Sequence, residues 1–272
     1  MICEEIKLGE FPEATLAPMC FSYSKERSPR AHRAVIVCPG GGYNHLSPRE
    51  AEPIAAQFLA AGFAPFILYY GVGENAANYR PLKQLALAIR YVRENAQKYS
   101  VDPDYVFVCG FSAGGHLAAS AGILWNAPVL DDIAAGAPRE IIRPTGMILS
   151  YPVISAGKMA HRESFYELCG KTNPTEAELN AFSLEKHVSA DTVPAFIWHT
   201  FTDQTVPVQN SLLLAEAMTE ADVPFELHVF PQGRHGLSLC NELTAVGKPQ
   251  NIEPHTAQWL GLALRWAKDF TL

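Results

Sequence analysis

A chain of 272 residues, 48% of them apolar and only 18% charged, carries enough hydrophobic material for a sizeable core and does not have the composition of a disordered segment. Its formal charge of −7, from 21 basic and 28 acidic residues, offers no electrostatic footprint for nucleic acid or an anionic membrane. Six cysteines without a single C-x-x-C pair give zinc binding and thiol–disulfide chemistry no support.

The first 29 residues mix alternating and broken apolar positions, which predicts antiparallel edge structure. The start, Met1-Ile2-Cys3-Glu4-Glu5-Ile6-Lys7, lacks the basic and apolar regions of a secretory signal, and no later stretch is long enough to span a bilayer. A soluble protein of the reducing cytoplasm is therefore expected. The densest basic cluster, Lys25, Arg27, Arg30 and Arg33, reads as a solvated loop.

From residue 34 onward, short apolar runs alternate with longer helical segments. Strands are predicted at 34–38, 66–70, 106–109, 147–150, 195–199 and 226–230. The first five are nearly continuous in apolar residues, as strands covered on both faces are, and Cys38 and Cys109 end two of them as small buried hydrophobes. Helices are predicted at 49–61, 81–99, 113–124, 208–221 and 254–268, with Pro81, Pro207 and Pro254 marking starts. This alternation predicts a mostly parallel, doubly wound α/β sheet with helices on both faces. No repeat or linker divides residues 1–272, so a single domain is expected. Segment 155–192 departs from the pattern, with short helical pieces at 164–169 and 175–182. It is too long for an ordinary loop and fits either a small lid or a plain surface excursion.

At 106–116 the chain reads V-F-V-C-G-F-S-A-G-G-H, a strand running into a helix through G-x-S-x-G. A serine there sits on a sharp turn with its hydroxyl projecting from the top of the sheet. Gly110 and Gly114 leave room where side chains would clash, and the helix aims its positive end at charge developing on a substrate. Ser112 is the candidate nucleophile; the bland alternative is a hydroxyl capping an ordinary helix. After the first parallel strand, Cys38-Pro39-Gly40-Gly41-Gly42-Tyr43-Asn44 holds three consecutive glycines, costly in entropy unless the loop needs special geometry. In such a fold this loop and the residue after the nucleophile donate backbone N–H groups to an oxyanion, here Gly41 or Gly42 with Ala113. Each such donor is worth about 3–4 kcal/mol in related chemistry. The loop has neither G-x-G-x-x-G spacing nor a G-K-[ST] ending, which argues against a nucleotide.

In this fold the acid follows the serine and the histidine comes last. Asp203 lies beyond the 195–199 strand at the same sheet end as Ser112, where open α/β sheets place their sites, whereas Asp191 and Asp222 lie at the opposite ends of their elements. His235, bracketed by Gly233 and Gly236 after the last strand, has a loop free enough to reach a serine. His116 on the nucleophile helix, His199 and His228 in or at the ends of strands, and His45, His161, His187 and His255 fit worse.

On P-G-G-G-Y at 39–43, G-F-S-A-G-G-H-L-A at 110–118, D-Q-T-V-P at 203–207 and G-R-H-G at 233–236, the chain resembles the acetyl esterase and lipase branch of the α/β-hydrolases over roughly residues 34–268. Members of that branch include proteins described as xylan esterases and sugar-ester hydrolases. The resemblance implies an α/β-hydrolase fold with at most a small cap, Ser112, Asp203 and His235 as triad, and Gly41, Gly42 and Ala113 as oxyanion donors. In one departure, close relatives often read H-G-G-G where Pro39 stands. The change leaves the backbone donors in place but weakens the resemblance to the hormone-sensitive-lipase group.

The leading expectation is a serine esterase for short acyl groups, acetylated carbohydrates among them. His235 would take the Ser112 proton and Asp203 would fix the imidazole tautomer. Such an enzyme needs no metal or organic cofactor, and its partner is a small-molecule ester; a homodimer is an open arrangement. Tyr43, Asn44, Tyr70 and Phe201 are candidate substrate contacts, with Trp125 and Phe165 as further candidates for the pocket lining. The same triad serves an arylformamidase-like or oligopeptidase-like amide hydrolase, although the chain has no room for the N-terminal propeller that would favour a peptidase. A binding protein on a retired hydrolase scaffold would typically have lost a triad member, and all three are present in order.

Overall fold

Residues 34–38 alternate between two apolar layers, Ala34, Ile36 and Cys38 facing one and Val35 and Val37 the other, so neither face of that strand meets water. The same alternation repeats across the sheet of the computed structural model, which describes residues 3–21 and 31–271. Its strands are β1 (Ile6–Leu8), β2 (Phe11–Pro18), β3 (His32–Cys38), β4 (Ala64–Tyr69), β5 (Val101–Phe111), β6 (Met147–Ser150), β7 (Ala195–Thr200) and β8 (Phe225–Phe230). They form one sheet in the order β1-β2-β4-β3-β5-β6-β7-β8. β2 pairs antiparallel with β1 and β4, and every other neighbouring pair is parallel. The predicted antiparallel edge and all six predicted strands are present. Lys25, Arg27 and Arg30 lie outside the described residues, while Arg33 donates to the carbonyls of Ala267 and Phe270 and stacks on Tyr105.

Ten helices connect and cover the strands among the described residues: α1 (Glu52–Ala60), α2 (Arg80–Glu94), α3 (Ala96–Tyr99), α4 (Ala113–Ile123), α5 (Asp131–Ala134), α6 (Arg162–Cys169), α7 (Glu176–Ala181), α8 (Gln209–Glu220), α9 (Glu242–Ala245) and α10 (Trp259–Asp269). Leu85, Leu117 and Leu214 of α2, α4 and α8 pack in one layer; Phe58 of α1 and Trp259 of α10 pack in the other. This is an α/β-hydrolase fold. β8, at the sheet edge, is only half-buried, which explains its weaker apolar signal. No helix among the described residues is long and apolar enough to cross a membrane.

Three helix boundaries differ from expectation. The segment 49–61 breaks at Ala51 (φ −106°, ψ −105°), leaving Arg49 and Glu50 in a separate 3-10 turn, Pro48–Glu50. The restart puts Pro53 in the first turn of α1, where its missing N–H costs nothing. The segment 81–99 breaks at Asn95, whose carboxamide donates to the Tyr91 carbonyl at 2.9 Å. At 254–268, a 3-10 turn precedes α10 because the Thr256 hydroxyl is drawn to the Gln232 carbonyl at 3.0 Å.

From β3 the chain passes outward to β4 and then returns to β5 on the other side of β3. The loops after β3 and β5 therefore diverge at the switch point of the sheet, the place where open α/β sheets leave a crevice.

Candidate active site

β5 passes into α4 through Ser112 alone, which adopts φ 54° and ψ −117°. Such a conformation persists in an L residue only where its surroundings impose it. Here the Ser112 N–H donates to the Ser150 carbonyl at 3.0 Å, and the Ser112 carbonyl accepts from His116 and Val153 at 3.0 and 3.1 Å. The flanking glycines serve close approach. A Cβ on Gly110 would overlap the Gly114 carbonyl, and one on Gly114 would overlap the carbonyls of Cys38 and Pro39. The G-x-S-x-G spacing thus lets the elbow and the glycine loop lie against each other.

The loops after β7 and β8 bring the other two candidates to Ser112. A carboxylate can only accept, so His235 Nδ1–H donates to Asp203 Oδ2 at 2.6 Å, which leaves Nε2 to accept the Ser112 hydroxyl at 2.7 Å. Asp203 Oδ1 accepts the N–H groups of Thr205 and Val206 at 2.9 and 3.0 Å. Burial pushes the Asp203 carboxyl up, but the hydrogen-bonding contacts of His199 and His235 outweigh it and hold the group well below the usual carboxylate range. His199 is the second histidine here: Nδ1 accepts from Ser211 at 2.7 Å, while Nε2 donates to the Val206 carbonyl at 2.9 Å and lies 3.4 Å from Asp203 Oδ2.

Ser112 and His235 open into a cleft of about 490 Å³. Gly41 and Gly42 border it, and Ala113, as the first residue of α4, carries an N–H with no acceptor inside the helix. Gly41 has φ 132°, and a Cβ there would overlap the His45 carbonyl. The opposite wall comes from segment 155–192 through His161, Glu163 and Glu167. Asn44 links the two sides, donating to Glu167 Oε1 at 3.2 Å. Burial holds His161 below the ordinary imidazole range, with Glu163 pulling the other way. Among the described residues no group of three or more His, Cys, Asp or Glu is placed to hold a metal ion.

Of the expected substrate contacts, Asn44 lies in the cleft and the aromatic ones do not. Tyr43, at φ 62°, turns its side chain into the core, where its hydroxyl meets His116 Nδ1 at 2.9 Å. Tyr70 is buried and donates to the Pro39 carbonyl at 2.6 Å, supporting the glycine loop from behind. Phe201 is 69% exposed and points to solvent, its backbone N–H tied to Phe230. Phe165 packs on His116 inside the core, and Trp125 donates to the Asp191 carbonyl beyond the far end of α4. Sequence alone assigns Arg49 and Glu50 to a helix start and gives no site role to them, to His161 or to His199. The prolines at 48 and 53, either side of Arg49 and Glu50, were the one available hint for the first two.

Residues 22–218 match the BD-FAE family model. The chain belongs to the BD-FAE family. That match includes Ser112 and Asp203 and stops before His235. This BD-FAE chain is 40% identical over 216 residues to endo-1,4-beta-xylanase B of Butyrivibrio fibrisolvens, covering 76% of this chain and 33% of that protein. It is 32% identical over 212 residues to an acetylxylan esterase of Xylanibacter ruminicola, covering 76% and 41% respectively. The chain thus spans well under half of either curated relative. Along its full length it resembles the crystal structure of an acetyl ester-xyloside bifunctional hydrolase from Caldicellulosiruptor lactoaceticus: 35% identity, TM-score 0.82, and 97% of this chain and 95% of that one covered.

Proposed function

We propose that this protein is a serine carboxylic ester hydrolase that removes short acyl groups from polar alcohols, acetylated carbohydrates foremost, through an acyl-enzyme on Ser112. The observation that carries the reading is the unbroken contact from Asp203 through His235 to the Ser112 hydroxyl, 2.6 and 2.7 Å in turn. His235 Nε2 takes the hydroxyl proton as Ser112 Oγ attacks the ester carbonyl, and Asp203 stabilises the imidazolium. Backbone N–H groups of Gly41 or Gly42 and Ala113 receive the oxyanion. The tetrahedral intermediate collapses as His235 protonates the departing alcohol; water then attacks the acyl-enzyme with His235 as base, releasing the acid and restoring Ser112.

The alcohol side is read from the cleft wall. Asn44, His161, Glu163, Glu167 and Thr205 offer donors and acceptors along the wall, which suits a hydroxyl-rich group. The names of the relatives, an acetylxylan esterase and an acetyl ester-xyloside hydrolase, support the same alcohol class. The test is a screen of acetylated xylo-oligosaccharides, aryl esters and formamides, with an acyl-length series. The proposed preference for short acyl groups predicts that activity falls beyond about four acyl carbons. A maximum at eight carbons, or formamides preferred over esters, would refute the proposal.

A further inference from the structure

Glu50 is 3% exposed at the edge of the cleft, a place a carboxyl side chain rarely occupies unless its oxygens are satisfied. Both are. Oε2 accepts the Gly40 N–H at 2.9 Å, at the head of the glycine loop, and Oε1 accepts the Tyr151 hydroxyl at 2.6 Å. That hydroxyl accepts in turn from the Ser238 N–H at 2.9 Å, in the loop that carries His235. The Tyr151 ring stands edge-on to the His235 imidazole, centroids 5.0 Å apart. Arg49 grips the same loop from beside it. Its guanidinium donates to the carbonyls of Gly236 and Thr244 at 2.8 and 3.2 Å, and its own carbonyl accepts the Ser238 hydroxyl at 2.6 Å. The 3-10 turn Pro48–Glu50 thereby joins the glycine loop to a loop 187 residues farther along the chain.

We propose that Arg49 and Glu50 are positioning residues, a clamp that holds the oxyanion donors and His235 in the relative geometry the transition state requires. Neither touches the reacting atoms. The inference rests on the reading of Ser112 and His235 as nucleophile and base. Three consecutive glycines cannot hold a loop rigid by themselves, and the His235 loop is likewise flanked by glycines. A shared anchor fixes both at once, so its loss should lower kcat and leave KM nearly untouched.

The test uses Glu50→Gln, which leaves the Gly40 N–H and the Tyr151 O–H one carbonyl oxygen between them, and Arg49→Met, which keeps the apolar stem and removes both donations. Active sites are counted by fluorophosphonate labelling carried to completion, so misfolded molecules drop out of the rate. With nitrophenyl acetate, kcat per labelled site should fall about 10²-fold in Glu50→Gln and about tenfold in Arg49→Met, with KM within about twofold, because a displacement near 1 Å has effects of that order. Arg49→Lys, which restores a donor, should recover part of the loss. A melting temperature that falls while kcat per site stays at the wild-type value, or a loss confined to KM, would overturn the clamp. If Glu50→Gln does not fold, the Arg49 pair decides. A wild-type protein that neither labels at Ser112 nor hydrolyses the ester would instead bring down the reading of the site, and the clamp with it.

Discussion

On the sheet side of the cleft, Ser112, His235 and Asp203 are joined at 2.6–2.7 Å and Asp203 is closed to water, whereas on the side of segment 155–192 Glu163 leaves 78% of its side chain exposed and Asn44 reaches Glu167 only at 3.2 Å. The two sides face different physical demands. Groups that meet developing charge must be in place before the reaction, since reorganising them during it would add to the barrier. Groups that recognise a hydroxyl-rich alcohol need only offer hydrogen bonds comparable to those of water, and solvated partners contribute little individually. On the proposed function, chemistry belongs to the first side and selectivity to the wetter one.

The sharpest way to break that division is at the triad. Ser112→Ala should cost about 10⁶-fold in kcat toward nitrophenyl acetate, and Asp203→Asn about 10⁴-fold, with circular dichroism unchanged. A serine variant with near-wild-type turnover would end the division outright. Gly114→Ala tests whether the first side depends on backbone contact. Its Cβ would overlap two carbonyls of the glycine loop, so a loss of about 3 kcal/mol is expected in denaturant titration. An unchanged midpoint would show that the elbow and the loop need not touch.

His116 joins the two sides: its Nδ1 accepts from Tyr43 and its Nε2 donates to the Phe182 carbonyl in segment 155–192. Burial lowers its pKa from 6.5 to about 4, with the bond to Phe182 opposing. The unfolded chain therefore takes up this proton first as pH falls, so stability present above about 6.5 is lost progressively toward about 4, on the order of 3 kcal/mol in total. Thermal melts across that range should show the loss, and His116→Gln should flatten it; an equal slope in the variant would assign the acid sensitivity elsewhere. The smallest effects belong to the wet side. Glu163→Gln and Glu167→Gln should each change KM for an acetylated oligosaccharide by less than about threefold and leave kcat alone. A large fall in kcat from either would move chemistry onto segment 155–192.

The fold was legible because the apolar runs at 34–38 and 195–199 can be buried only between two layers, and the placement of Ser112, Asp203 and His235 followed from chain order and the ends of strands. Their side-chain contact was not legible, nor were the aromatic contacts. Tyr43, Tyr70 and Phe201 have the size and chemistry of pocket residues, yet two turn into the core and one faces solvent. His161 gave no signal because the course of segment 155–192 is set by what it packs against.

From the sequence alone came the properties that short stretches of chain encode: which runs are buried on both faces, which turn needs glycine at two flanking positions, and the order in which hydroxyl, carboxylate and imidazole appear. Tertiary structure alone decided which side chains share a site. Glu50 and Tyr151 stand 101 residues apart in sequence and 2.6 Å apart in space. A contact of that kind depends on how several loops close over the same sheet end, and no local pattern records it.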